Sequence, residues 1–123
     1  MYSTDWLIRQ IESMARGIAK ILFDKDTSMD MYVYDIMDRT RYTEPDILHD
    51  KLKELLIDLK LNEAEDLLFD NIDTENKNYL LVALDFYIRL NELDDDTLEK
   101  NNFSRDEIYS GMSDVKEMYG INF

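Results

Sequence analysis

The sequence contains no cysteine, one proline and three glycines, and each scarcity narrows the structural choices. Without cysteine the chain has no disulfide, no thiolate nucleophile and no cysteine-ligated metal. With so few turn-forming residues, helices are favoured over a sheet of many strands. No apolar run approaches the roughly 20 residues that span a bilayer, and the amphipathic first twenty residues do not form a signal peptide. A soluble cytoplasmic protein is therefore expected.

Positive charge is also scarce, because the chain has 14 basic and 28 acidic residues and therefore a net charge of -14. Residues 1–43 hold 6 basic and 7 acidic side chains, a net charge of -1, and residues 44–123 hold 8 and 21, a net charge of -13. An acidic surface repels phosphate backbones and anionic lipids, so neither nucleic acid nor a membrane is expected as a partner. We interpret the acidic surface as a feature that keeps the protein soluble, and the alternative is that it forms a docking face for a basic partner.

Helical periodicity is what the sequence has in abundance. A hydrophobic share of 45% over 123 residues predicts a single folded domain at 1–123. We expect an N-terminal helix with a short helix or linker at 1–43, and a helical-repeat-like part at 44–123. The segment 78–93 is apolar most of the way round, so it predicts a central helix enclosed by others. The predicted fold is all-α, with five to seven helices.

The N-terminal helix carries apolar residues at alternating steps of four and three. They are Leu7, Ile11, Met14, Ile18 and Ile21. This spacing suits packing along another helix. It predicts either that the helix covers the domain's own core or that part of it forms a homodimer seam. The segment 29–37 fits a short helix after Ser28, although its aromatic residues also suit an extended strand.

Polar residues that cap helices mark four further helix starts. Thr43 precedes a proline in the first turn of one helix. Asn62 is the predicted cap of the next helix, with Glu65 placed to reach back to it. Asp94 and Ser104 are the predicted caps of the last two helices. These signals predict helices from about residue 46 to 59, from 62 to about 72, a short turn after Asp94 and a final helix from about residue 105.

The end of the last helix carries its own signals. A break is predicted near 111–113, because Gly111 and Ser113 flank Met112. Gly120 is predicted to end the helix in the left-handed conformation, with Ile121 folding back on the last turn.

A shift of 31 residues superposes the helix at 46–59 on the central helix. Its buried stripe, in which every position maps to an apolar residue, is Leu48, Leu52, Leu55, Leu56 and Leu59. A period near 31 to 34 is typical of paired antiparallel helices in repeat proteins. The segment 48–71 resembles a tetratricopeptide hairpin, and 78–93 then begins a degenerate second repeat.

Three further segments are similar to a family of short Firmicutes proteins, a domain of unknown function. The segments are D-W-L-I-R-Q-I-E at 5–12, N-E-A-E-D-L-L-F at 62–69 and Y-G-I at 119–121. The similarity spans nearly the whole chain. It implies a bacterial, cytoplasmic, helical protein and carries over no catalytic residue.

The best metal candidate is a calcium loop at 24–35. Its acidic and hydroxyl side chains fall near the ligand positions of such a loop, at Asp24, Asp26, Ser28, Asp30 and Asp35. Met29 occupies the position that requires glycine, and Asp35 is shorter than the bidentate glutamate usual at the last position. We therefore interpret the segment as a polar loop.

The remaining candidates for chemistry receive structural interpretations. His49, the single histidine, has Asp46 one turn before it but no second histidine or cysteine with which to hold zinc, and is interpreted as a surface residue. Asp85 and Arg89 are interpreted as a structural ion pair. Two acidic clusters are interpreted as solvated faces, one at Asp94–Asp96 and one formed by Glu63, Asp66 and Asp70. Three aromatic residues are interpreted as core, namely Tyr79, Phe86 and Tyr87. No catalytic, cofactor-binding or metal-binding residue is assigned.

The leading hypothesis for function is a non-enzymatic protein-interaction or scaffold module. A helical groove lined by aromatic residues, with acidic rims, would select a basic or amphipathic partner. The alternative is a small metal- or metabolite-binding protein or enzyme that uses clustered carboxylates.

Overall fold

Six helices make up the part of the chain that the computed structural model describes, residues 4–23 and 42–123, and this part contains no strand. They are α1 (Thr4–Phe23), α2 (Glu44–Ile57), α3 (Leu61–Asn71), α4 (Lys77–Asn91), α5 (Asp95–Lys100) and α6 (Arg105–Met118). The all-α prediction is confirmed. The predicted helix at 29–37 and the candidate calcium loop at 24–35 lie outside the described residues. No helix within the described ranges is long and apolar enough to cross a bilayer.

The central element is α4, as its composition predicts. Nine consecutive residues, from Tyr79 to Tyr87, are buried, and so are Leu90 and Asn91. Such a helix needs neighbours on most sides, and α4 contacts α2, α6 and α1. It lies between the α2–α3 pair and the terminal helices, which also contact each other.

Two faces of α1 differ sharply in character. Its inner face is buried against α4 and α6, through Ile11, Met14, Ala15, Ile18 and Ala19. The predicted stripe therefore covers the chain's own core, except that Ile21 is exposed. The homodimer seam stays a prediction. On the outer face, Arg9, Arg16 and Lys20 form a row of exposed cations at helical spacing.

The α2–α3 pair begins as the sequence predicts, with Thr43 as its cap, and the structure shows a capping box with Asp46 there. The Asp46 Oδ2 atom accepts hydrogen bonds from Thr43 N at 2.8 Å and Thr43 Oγ1 at 2.9 Å. The predicted cap at Asn62 is wrong, because the cap is Lys60, two residues earlier, and α3 begins at Leu61. Asn62 already lies in the first turn and donates to the carbonyls of residues 101 and 102. The likeness of this pair to a tetratricopeptide hairpin stays a prediction.

The last helix, α6, starts at a capping box formed by Ser104 and Glu107, as predicted. The predicted break near 111–113 is wrong, because α6 is continuous from Arg105 to Met118. Gly111 instead allows a side chain to approach closely: a Cβ atom at this position would lie 2.2 Å from Tyr87 Oη.

Arg105, buried at the start of α6, joins the C-terminal end of α4 to α5. Its terminal nitrogens donate to Asn91 O at 2.6 Å, Leu93 O at 2.8 Å and Asp95 Oδ1 at 2.9 Å. Asn91 Nδ2 in turn donates to Ile8 O in α1 at 3.2 Å. The bonds to Asn91 O and Leu93 O satisfy carbonyl groups that the end of α4 leaves unpaired, and the whole set links α1, α4, α5 and α6.

Candidate functional site

A largely aliphatic groove lies between the C-terminal ends of α2 and α4, and we call it the α2–α4 groove. It encloses about 480 Å³. Its lining consists of Lys53, Leu56, Ile57, Leu59, Arg89, Glu92 and Leu93. Ile57 is 80% exposed and Leu59 39% exposed, so this part of the surface presents large apolar side chains to solvent. The prediction that Leu59 belongs to the buried stripe of α2 is wrong.

The backbone at Leu59 is unusual for its residue type. Three of the six described helices end in the same motif, in which the residue after the cap adopts a left-handed conformation, with φ of 59° at Leu59, 56° at Asn102 and 68° at Gly120. The closing bonds run from Lys60 N to Leu55 O, from Phe103 N to Leu98 O and from Ile121 N to Lys116 O, at 2.9, 3.0 and 3.1 Å. Glycine and asparagine are the residues that usually occupy this position. The helix that ends at the groove has leucine there.

A buried polar network lies beneath one wall of the groove. The Asp85 Oδ2 atom in α4 lies 2.5 Å from His49 Nε2 in α2 and accepts a hydrogen bond from Arg89 Nε at 2.7 Å. Burial raises the pKa of the Asp85 carboxyl, but the hydrogen bonds from His49 and Arg89 outweigh it, and the pKa is lowered. The predicted ion pair between Asp85 and Arg89 is confirmed.

The interpretation of His49 as a surface residue is wrong, because the residue is 1% exposed and joins α2 to α4 through Asp85. One signal in the sequence favoured burial. The 31-residue shift that superposes α2 on α4 maps His49 onto Leu80, which is fully buried. A histidine enclosed in this way cannot contact a substrate. Its effect on the surface passes through Asp85 to Arg89, which lines the groove.

The predicted acidic clusters lie on the surface. Asp94 caps α5 through Thr97 N at 2.8 Å, and Asp95 and Asp96 form ion pairs with Arg105 and Lys100. The other cluster, Glu63, Asp66 and Asp70, is exposed on α3. Among the described residues, no three histidine, cysteine, aspartate or glutamate side chains are grouped so that they could hold a metal ion.

One acid that the fold uses carries no signal of this role in the sequence. Glu65 is predicted to reach back to Asn62, but its Oε2 atom instead accepts a hydrogen bond from Tyr87 Oη at 2.7 Å. Burial raises the pKa of the Glu65 carboxyl, the bond from Tyr87 opposes the rise, and neighbouring acids reinforce it.

The aromatic residues interpreted as core are buried. Tyr79, Phe86 and Tyr87 all lie inside, and the rings of the last two meet edge to face with centroids 5.0 Å apart. The side chains that line the α2–α4 groove are aliphatic and charged, so this groove lacks the predicted aromatic lining.

Comparison with protein families gives the chain a place among related sequences. The model of a family of unknown function, DUF6483, matches residues 1–120. The chain belongs to this family. The resemblance to an uncharacterised family, found from three short segments, is thereby confirmed. Neither a comparison with curated proteins nor one with solved structures finds a match.

Proposed function

We propose that this member of the family is a protein-interaction module whose α2–α4 groove binds an amphipathic helical segment of a partner protein. The observation that carries the proposal is Leu59, an apolar side chain held at the groove in a backbone conformation that leucine disfavours. The left-handed conformation costs a residue with a Cβ atom roughly 1–2 kcal/mol relative to its preferred regions. Strained residues of this kind cluster at functional sites such as ligand-binding surfaces.

The other helix ends support this interpretation. At Asn102 and Gly120 the chain uses residues that tolerate the left-handed conformation, so the motif itself does not require leucine. Leu59 also fails to gain the stability of full burial, since more than a third of it is exposed. Together with Ile57, it contributes apolar area that becomes buried only when something fills the groove.

The lining of the groove matches the chemistry of an amphipathic helix. Such a helix places apolar side chains at i, i+3 or i+4, and i+7 into a groove and leaves charged side chains along its flanks. The centre of the groove is aliphatic, and Lys53, Arg89 and Glu92 stand around it. Because two of these three charges are positive in a chain of net charge -14, the groove favours an amphipathic partner over a merely basic one.

A comparison of Leu59→Gly with Asn102→Gly tests the proposal. Both substitutions place glycine at the left-handed position of the same helix-ending motif, but only the first removes a side chain from the groove. We expect Leu59→Gly to stabilise the fold by up to about 1 kcal/mol and Asn102→Gly by less, because asparagine already tolerates this conformation. A loss of binding in the more stable variant could not be attributed to unfolding.

Binding is measured with displayed random peptides of about 16 residues, roughly four helical turns. The library is selected on the full chain, and the selected peptides are then titrated as synthetic probes. Support requires affinity at least about 10-fold weaker for Leu59→Gly, equivalent to 1.4 kcal/mol, and unchanged affinity for Asn102→Gly. Equal binding to Leu59→Gly would contradict the proposal. So would light scattering that shows a dimer lost in Leu59→Gly, because the groove would then hold a second copy of the chain.

A further inference from the structure

We infer that Arg89 recognises a carboxylate on the bound segment, and that Asp85 and His49 position its guanidinium for this purpose. The inference rests on the proposed function, since it names the charged group that the occupant of the α2–α4 groove presents. It assigns an acidic residue to the partner, next to the apolar side chains that enter the groove.

The hydrogen-bonding capacity of Arg89 is largely unused. A guanidinium has five N–H donors, and the Nε donor of Arg89 is engaged by Asp85 Oδ2 at 2.7 Å. Within residues 4–23 and 42–123, neither terminal nitrogen of Arg89 has a hydrogen-bond partner. The side chain is 41% exposed and lines the groove, so its terminal nitrogens remain available to a ligand.

The buried network holds the guanidinium in place. The group is planar, so fixing Nε against Asp85 restricts where the two terminal nitrogens can point. Asp85 is itself held from another helix, because His49 lies 2.5 Å from the same carboxylate oxygen and is fully enclosed. A free arginine side chain would lose conformational entropy on binding, whereas this one has lost much of it already.

A single carboxylate suits this arrangement better than a phosphate or a neutral group. The end of the guanidinium presents two parallel donors, which match the two oxygens of one carboxylate. Lys53 adds positive charge along the groove, while Glu92 and the net charge of -14 oppose a ligand with several negative charges. An aspartate or glutamate on the flank of an amphipathic helix meets these conditions.

The test uses the peptides selected on the full chain, each synthesised as a pair that differs only by glutamate or glutamine at its acidic position. We expect the glutamate peptide to bind the unmodified chain about 5- to 20-fold more tightly than its glutamine twin. The ratio of the two affinities should fall to about 1 in Arg89→Gln. It should be intermediate in Arg89→Lys, which keeps the positive charge but lacks the two parallel donors of the guanidinium.

The positioning role is tested by the same ratio in Asp85→Asn. A merely structural role would weaken both peptides equally and leave the ratio unchanged, whereas a positioning role reduces the ratio itself. Should Asp85→Asn not fold, His49→Asn provides the second variant, because its shorter side chain removes the hydrogen bond that holds Asp85, and the ratio should again fall.

The possible failures are distinguishable. If the peptides require Leu59 but glutamate and glutamine twins bind alike, the inference about Arg89 is wrong and the proposed function stands. If the ratio survives in Arg89→Gln, another group recognises the acid and the inference is again wrong. If no selected peptide depends on Leu59, the proposed function fails and the inference falls with it.

Discussion

Replacing Gly111 with alanine tests the tightest packing between α6 and α4. A Cβ atom at this position would lie 2.2 Å from Tyr87 Oη and 2.5 Å from Tyr87 Cζ. The phenol has little freedom to retreat, because it is fully buried and donates a hydrogen bond to Glu65 at 2.7 Å. Either α6 moves away from α4 or the ring leaves its position and the hydrogen bond breaks.

The expected cost follows from three contributions. Replacing glycine by alanine in a helix interior stabilises it by about 1 kcal/mol. Forcing an extra methyl group into a filled core costs about 1–3 kcal/mol, and loss of the hydrogen bond from Tyr87 costs about 1 kcal/mol more. Gly111→Ala should therefore lower the free energy of unfolding by about 1–3 kcal/mol, despite its better helix propensity.

Gly17→Ala in α1 is the matched control. A Cβ atom there would lie 3.1 Å from the ring of Phe123, an exposed side chain that can move by the few tenths of an ångström needed. The gain in helix propensity should dominate, so we expect this variant to be up to about 1 kcal/mol more stable than the unmodified chain. Urea unfolding followed by circular dichroism measures both variants. A Gly111→Ala variant as stable as the unmodified chain would refute the tight packing of Gly111 against Tyr87, and so would two substitutions that shift stability in the same direction.

Two further predictions concern the pH dependence of stability. The pKa of Glu65 is raised in the folded chain. The contribution of Glu65 to stability is therefore present below the unfolded pKa of about 4.3 and is lost as pH rises through the folded pKa. Because Glu65→Gln removes this loss, the melting temperature of this variant relative to the unmodified chain should be higher at pH 7 than at pH 4. The pKa of Asp85 is lowered, so its contribution is present above about pH 3.9 and is lost as pH falls further. Asp85→Asn should cost about 3 kcal/mol at pH 7 in urea unfolding, because two hydrogen bonds to a buried carboxylate weaken, and the deficit should shrink at pH 3. A deficit that is equal at the two pH values would contradict the assignment.

Local signals in the sequence predicted most of the helices, because they depend on neighbouring residues alone. The caps at Thr43, Asp94 and Ser104 and the left-handed end at Gly120 are present as predicted. The central helix could be predicted because it is apolar most of the way round, which requires other helices to enclose it. The failure at Asn62 has a physical reason: the turn that ends α2 is so tight that α3 starts at once, and the amide reaches a distant turn.

The candidate site could not be predicted from such signals, because it depends on which helices meet. The pairing of His49 with Asp85 spans 36 positions of sequence and forms only when α2 packs on α4. The apolar character of Leu59 predicts burial, and nothing local reveals that α2 ends before its last leucines are covered. The register shift that places His49 over Leu80 was the one available indication that this histidine is enclosed.

The row of cations on the outer face of α1 makes the molecule electrically asymmetric. Residues 44–123 have a net charge of -13, while Arg9, Arg16 and Lys20 project together from one helix. At separations beyond the Debye length, about 8 Å at physiological ionic strength, other molecules are largely screened from the acidic region and from the cations of α1. At closer range a negatively charged surface is repelled by the acidic helices and attracted where it meets the cations of α1. On an anion-exchange resin, the chain would therefore be held with α1 turned toward the solvent.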